Sequence, residues 1–211
     1  IFFTTRAGTV KKTALSDFAN VRRGGIIAIK IVPGDALIEA RFTTGHDDVI
    51  LVTAEGMSIR FHEDGVRTMG RAAAGVRGIR LGKDDHVVAL SIVSKDATLL
   101  VAGENGIGKR TDFDDYRVQS RGGKGIKTMK ITKKTGKVVG GLTVHEGDEI
   151  MLITVGGQMV RTSVDGVRQT GRNAQGVRLV NVDDKDRLQD IAPVVSAEKE
   201  EEAAGEEEAE E

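Results

Sequence analysis

The chain has 211 residues, 39% hydrophobic and 30% charged, with 27 Gly, 2 Pro and neither Cys nor Trp. That length can bury a real core as one domain or one repeat array. The lack of Cys excludes a disulfide framework, a zinc–thiolate site and a thiol nucleophile. No apolar run approaches the roughly 18 residues of a membrane helix, so no membrane partner is expected. Aromatic residues make up only 3% of the chain, too few for a platform that stacks single-stranded bases. The net charge of −1 conceals an asymmetry: 9 Glu and one Lys lie between Glu198 and Glu211, leaving 30 basic against 23 acidic residues and a net +7 over 1–197. The sequence starts at Ile1 without a signal-peptide pattern and reads as a piece of a longer cytoplasmic protein.

From the first residue onward the chain repeats itself. An apolar run, Ile1–Thr5, leads to a glycine turn at Gly8 and a short basic stretch ending in Lys11 and Lys12. An acidic loop (Ser16, Asp17) follows, then a Gly-rich loop with Arg22 and Arg23, a strand over 26–32 and another over 37–44. The second unit repeats this order: Val49–Thr53, the turn at Gly56, Met57–Phe61 with Arg60, the acids Glu63 and Asp64, Arg71 in its glycine loop, and strands over 75–81 and 86–93. The third has Leu99–Ala102, the Asn105-Gly106 hairpin signal, Lys109 and Arg110, Asp114 and Asp115, Arg121, and strands over 125–131 and 138–144. The fourth has Ile150–Thr154, Gly157, Arg161, Asp165, Arg172, and strands over 176–182 and 187–194. The turn glycines Gly8, Gly56, Gly106 and Gly157 recur at intervals of 48, 50 and 51, and Arg23, Arg71, Arg121 and Arg172 keep the same intervals. The expected units are 1–46, 47–95, 96–146 and 147–196, followed by a disordered acidic tail over 197–211 that cannot bury enough surface to fold.

No segment has a convincing helical period. Continuous apolar runs such as Val49-Ile50-Leu51-Val52 imply strands buried on both faces, an environment that sheets stacked side by side supply. Four strands in about 50 residues therefore predict an all-β, propeller-like array of four-stranded blades. Such an array displays equivalent loops periodically in space, and here they carry charge: Arg22, Arg23, Arg67, Arg71, Arg77, Arg117, Arg121, Lys124, Lys127, Arg168, Arg172 and Arg178. The hairpin strands add Lys11, Lys12, Arg60, Lys109, Arg110 and Arg161. Any one of these suits an ordinary soluble β surface. Their recurrence suits the backbone of duplex DNA, with about one charge per 1.7 Å of axis, and the neighbouring glycines would let main-chain N–H groups reach phosphates.

The most distinctive stretch, Gln119-Ser120-Arg121-Gly122-Gly123-Lys124-Gly125, resembles the Gln-Arg-Arg-Gly-Gly-Lys-Gly box of the DNA gyrase A C-terminal domain, with Ser120 in place of the first Arg. The stretches 8–13, 75–81, 108–111 and 171–176 and the acidic end are also similar to that family. The resemblance spans Phe2 to about Val194. It implies a β-pinwheel of about six blades that wraps double-stranded DNA on a basic rim and supports ATP-dependent negative supercoiling. It further implies the rest of gyrase A, and gyrase B, as partners, a bacterial cytoplasmic, nucleoid-associated setting, ATP and Mg²⁺ in other domains, and no cofactor or catalytic residue in this chain. Four units are present here, and the near-match lies in the third, whereas the family carries its main box in the first blade. On this resemblance the DNA contacts are Lys11, Lys12, Arg22, Arg23, Arg60, Arg71, Lys109, Arg110, Gln119, Arg121, Gly122, Gly123, Lys124, Gly125, Arg161 and Arg172. The acidic tail then reads either as a solubiliser or as a polyanion that competes for the rim. The corresponding domain of topoisomerase IV and a propeller-type protein-interaction module are the alternatives.

Other chemistry is declined. Tyr116, the single tyrosine, occupies a position filled by Phe18, Val66 and Val167 in the other units, so a core role is expected. Gly103–Arg110 nearly fits a phosphate-binding loop, but Arg110 stands where a Mg²⁺-binding Ser or Thr is needed, and a hairpin rather than a helix surrounds it. His46, His62, His86 and His145 lack ligand spacing. The acid pairs Asp47-Asp48, Asp84-Asp85 and Asp183-Asp184 sit at predicted turns.

Overall fold

The computed structural model describes residues 1–194, so the acidic tail expected over 197–211 lies outside the described residues. Fifteen β-strands form four antiparallel sheets: β1 (Phe2–Thr5), β2 (Thr9–Lys12), β3 (Leu37–Arg41), β4 (Asp48–Thr53), β5 (Met57–His62), β6 (Val76–Arg77), β7 (Val87–Ile92), β8 (Thr98–Gly103), β9 (Ile107–Asp112), β10 (Ile126–Lys127), β11 (Val138–Val144), β12 (Glu149–Thr154), β13 (Met159–Ser163), β14 (Val177–Arg178) and β15 (Leu188–Val194). The strand orders are β3-β1-β2-β6, β7-β4-β5-β10, β11-β8-β9-β14 and β15-β12-β13. The four innermost strands, β3, β7, β11 and β15, line one central cavity of about 540 Å³. This is the all-β, propeller-like architecture that the repeats predict.

Alternation explains the continuous apolar runs. In β4, Val49 and Leu51 pack with Phe2 and Val10 of the first sheet. Ile50 and Val52 pack with Leu99 and Val101 of the third sheet on the opposite face. In β8, Leu100 and Ala102 turn towards Ile150 and Leu152 of the fourth. Each inner sheet is thus sandwiched, and each such buried aliphatic side chain contributes about 1.5–3 kcal/mol. Tyr116 is buried in the layer between the second and third sheets, and its hydroxyl lies 2.6 Å from that of Thr128. Burial raises its pKa above the ordinary phenol value. The acidic loops form single 3₁₀ turns, at Glu63–Gly65, Phe113–Asp115 and Val164–Gly166, capped by His62, Asp112 and Ser163, whose side chains accept the N–H groups of Asp64, Asp114 and Asp165.

The sequence-predicted third strands differ from expectation. Strands over 75–81, 125–131 and 176–182 shrink to two paired residues each, and none forms over 26–32. Each two-residue strand also leaves its own unit. β6 pairs with β2, β10 with β5 and β14 with β9, each closing the outer edge of the preceding sheet. A glycine at positive φ starts each of them: Gly75 (103°), Gly125 (73°) and Gly176 (97°). A Cβ there would be driven into the carbonyl of Val10, Ser58 or Gly108, so only glycine lets the two chains approach. Among the described residues the fourth sheet has three strands.

Candidate nucleic-acid interface

Two classes of cation emerge from this strand exchange. The first knits the units together. Lys11 and Lys109 are fully buried. Lys11 donates to the carbonyls of Ala28 and Arg71, and Lys109 donates to those of Gly171 and Arg172, both at 2.7 Å. Arg110, 6% exposed, donates to the Val167 carbonyl and to Glu146, each at 2.8 Å. These three residues face protein, which removes them from the expected set of phosphate contacts. A strand residue's charge does not say which face of the sheet it occupies, and here the carbonyls of the next loop satisfy it. Arg60 is half-buried and donates to Asp48 and the Phe113 carbonyl. Lys12 lies 3.2 Å from Glu63, whose buried carboxylate also accepts from Thr43, Gly45 and Asp47. Burial pushes the Glu63 carboxyl up, but these bonds outweigh it and hold its pKa below the ordinary value. Arg161 is exposed and pairs with Glu149.

The loop arginines occupy one equivalent place. Arg71, Arg121 and Arg172 are half-buried, and each donates Nη1 to a carbonyl of the preceding unit's third-strand segment: Ile27 (3.2 Å), Arg77 (3.2 Å) and Lys127 (3.1 Å). Arg121 adds a 2.6 Å bond from Nε to the Gly65 carbonyl. Arg22 and Arg23 are exposed on the first loop. The stretch 119–125 is a junction. Gln119 N–H donates to Arg60, Gly122 N–H donates to Gly78, and the Gly123 carbonyl accepts from Arg80. The Gly122 N–H is therefore spent on protein and not free for phosphate. Lys124 is exposed.

The second class points outward. Arg77, Lys127 and Arg178 lie on the outermost strands β6, β10 and β14, and all are exposed. Arg67, Arg117 and Arg168 are exposed on the loops that run along the same hairpin edges, where Met69, Gln119 and Thr170 donate N–H to Lys12, Arg60 and Arg110. Lys30, Arg80 and Lys130, also exposed, form a third recurring set that the sequence reading missed, although they keep a constant interval of 50. The perimeter thus carries cations at matching positions of successive units.

Burial lowers the Lys109 ammonium from its ordinary 10.5 to about 8, opposed by Asp115 and reinforced by Arg172. A folded pKa below the unfolded one means that the unfolded chain binds more protons between pH 8 and 10.5. Stability from this group therefore rises with pH across that window, and its penalty is fully present below pH 8. Urea midpoints of the wild type and Lys109→Met, compared at pH 7.5 and 9.5, should show a rise relative to the variant at the higher pH.

The fold and edge together define a propeller-like repeat module with a cationic perimeter. Four consecutive segments, 1–44, 47–94, 97–145 and 148–194, match the model of the DNA gyrase C-terminal domain, beta-propeller, and the chain belongs to this family. It is 45% identical over 202 residues to the DNA gyrase A protein of Salmonella typhimurium, covering 94% of this chain and 23% of that protein. It is 45% identical over 194 residues to the same protein of Mycolicibacterium smegmatis, covering 91% and 23%. The chain thus spans about a quarter of the length of these relatives. Among solved structures, it is similar to a DNA gyrase A C-terminal domain at TM-score 0.83 and 29% identity, over 92% of this chain and 65% of that one. It is also similar to the C-terminal domain of a DNA topoisomerase IV at TM-score 0.88 and 25% identity, over 99% and 66%.

Proposed function

We propose that this chain binds and wraps duplex DNA along its outer perimeter, as the C-terminal module of a gyrase A protein. The exposed sets Arg77/Lys127/Arg178 and Arg67/Arg117/Arg168, repeated unit after unit, carry this reading. The described residues present no α-helix to enter a groove, so contacts go to phosphate and are blind to sequence. Bending 20–30 bp costs about 1–6 kcal/mol, and several units acting together offset it. The wrapped DNA is presented to the enzyme's other domains, in gyrase A and gyrase B, where ATP and Mg²⁺ act to introduce negative supercoils in the bacterial cytoplasm. The acidic tail over 197–211 competes with DNA for the exposed cations.

Ligation of a nicked plasmid with increasing amounts of the domain tests wrapping directly. The expected result is a topoisomer distribution shifted to one sign in proportion to protein. Tight binding with an unshifted distribution would show that the edge holds DNA without wrapping it. The likeness to the topoisomerase IV domain supports a second reading, in which the module serves decatenation. The reconstituted enzyme decides between them by whether it supercoils relaxed plasmid. Salt-insensitive binding to protein with no affinity for DNA would instead favour an interaction propeller.

A further inference from the structure

The loop at 119–125 takes hold of one stretch of the preceding unit. Gln119 N–H donates to the Arg60 carbonyl, Gly122 N–H to that of Gly78 at 2.6 Å, and the Gly123 carbonyl accepts from Arg80. Arg121 makes the longest reach along the chain. Its Nε donates to the Gly65 carbonyl at 2.6 Å and its Nη1 to that of Arg77 at 3.2 Å. Those two carbonyls close off the segment 65–77, and the exposed Arg67 and Arg77 stand at its two ends.

This two-ended grip is particular to Arg121. Among the described residues, its counterparts Arg71 and Arg172 each donate to a single carbonyl, of Ile27 and of Lys127. A guanidinium is planar, with its donors in a fixed fork, so engaging both carbonyls sets the distance between the ends of the segment. Arg121 is half-buried, with Nε and Nη1 both spent on protein. The side chains of Arg67 and Arg77, by contrast, have no hydrogen-bonding or ion-pair partner among the described residues. The path of their main chain alone decides where their charges stand.

We propose that Arg121 is a positioning residue for DNA binding: it touches no phosphate, and it braces the segment on which Arg67 and Arg77 meet the duplex. This role rests on the reading of the perimeter as the DNA-binding edge.

A double-mutant cycle on the full chain, read by filter binding to a linear duplex at physiological salt, tests it. Arg121→Ala alone should weaken binding about tenfold, short of the roughly 25-fold that outright loss of two phosphate contacts gives. In an Arg67→Ala/Arg77→Ala background the same change should cost less than about twofold and leave the salt slope where it stood, because nothing remains to be positioned. In a Lys127→Ala background, whose missing cation Arg121 does not brace, the loss should again be about tenfold. Arg121→Gln puts an amide N–H where Nε stood, keeping the bond to Gly65 without the charge, and should lose only about threefold. A direct phosphate contact would instead cost the same with Ala as with Gln. It would also remove a further slope of about 0.9 in the Arg67→Ala/Arg77→Ala background. A purely structural role would lower the urea midpoint in every background and leave the affinity of the folded domain unchanged. Either result overturns the proposal. If Arg67→Ala/Arg77→Ala by itself leaves affinity unchanged, the perimeter reading fails and the positioning role falls with it. An additive cycle sinks the positioning role alone.

Discussion

Replacing Arg77, Lys127 and Arg178 together by alanine should weaken duplex binding about a hundredfold at 0.15 M salt and flatten the slope of log affinity against log salt by about 2.7. Each phosphate contact releases counterions worth roughly 0.9 in slope, and hence about 0.7 log units of affinity at that salt. These three residues are the cleanest probes of the perimeter. They are exposed, they lie on the outermost strands, and the side-chain bond that Arg178 makes to protein, to Asn181 at 3.1 Å, stays within its own loop. The loop arginines are poorer probes, since Arg121→Ala also removes bonds to the Gly65 and Arg77 carbonyls and so mixes folding with binding. The loss should be uniform across DNA sequences, because phosphate contacts carry no base information. Filter-binding titrations at several salt concentrations, on two unrelated duplexes, give both numbers. An unchanged slope with an unchanged melting curve would place the DNA elsewhere on the domain.

The difference between those two sets of arginines marks what the sequence could and could not say. Periodicity in the glycines and arginines was enough to count the units, and the unbroken apolar runs at 49–52 and 99–102 were enough to stack them, because burial on both faces leaves a compositional trace. The partner of the third strand left none. A stretch such as Gly75-Val76-Arg77 looks the same whether it closes its own sheet or the preceding one, since pairing across units depends on the path of the chain and not on local preference. That ambiguity explains the errors at the site. With the strand assigned to its own unit, Lys11 and Lys109 read simply as bases on the hairpin strands. With the strand exchanged, the following loop folds over them and supplies carbonyls to their ammonium groups. The box at 119–125 was recognised by its residues, yet its glycines and main chain serve largely to join the second and third units, and Lys124 is its exposed cation.

Gly125→Ala should destabilise the domain by about 2–5 kcal/mol, whereas Gly25→Ala, at nearly the same backbone angle, should cost only about 1–2 kcal/mol. Left-handed backbone carries the smaller charge at both positions, since φ is 73° at Gly125 and 76° at Gly25 and a non-glycine residue there loses roughly 1–2 kcal/mol. The surroundings supply the rest. A Cβ on Gly125 would stand 2.8 Å from the Ser58 carbonyl carbon, closer still to its oxygen, and 3.4 Å from Ile59 Cβ, whereas on Gly25 it meets nothing within 4 Å. Relieving that clash means moving β10 off β5, and overpacking of this kind costs about 1–3 kcal/mol. The displacement would also loosen Ile126, which packs on the core between the second and third sheets. Urea denaturation of both variants measures the difference. Equal losses would mean that the exchanged strand is not gripped at Gly125. A larger loss at Gly125 would show that closing each sheet with its neighbour's strand is what holds the array, and its perimeter of cations, in register.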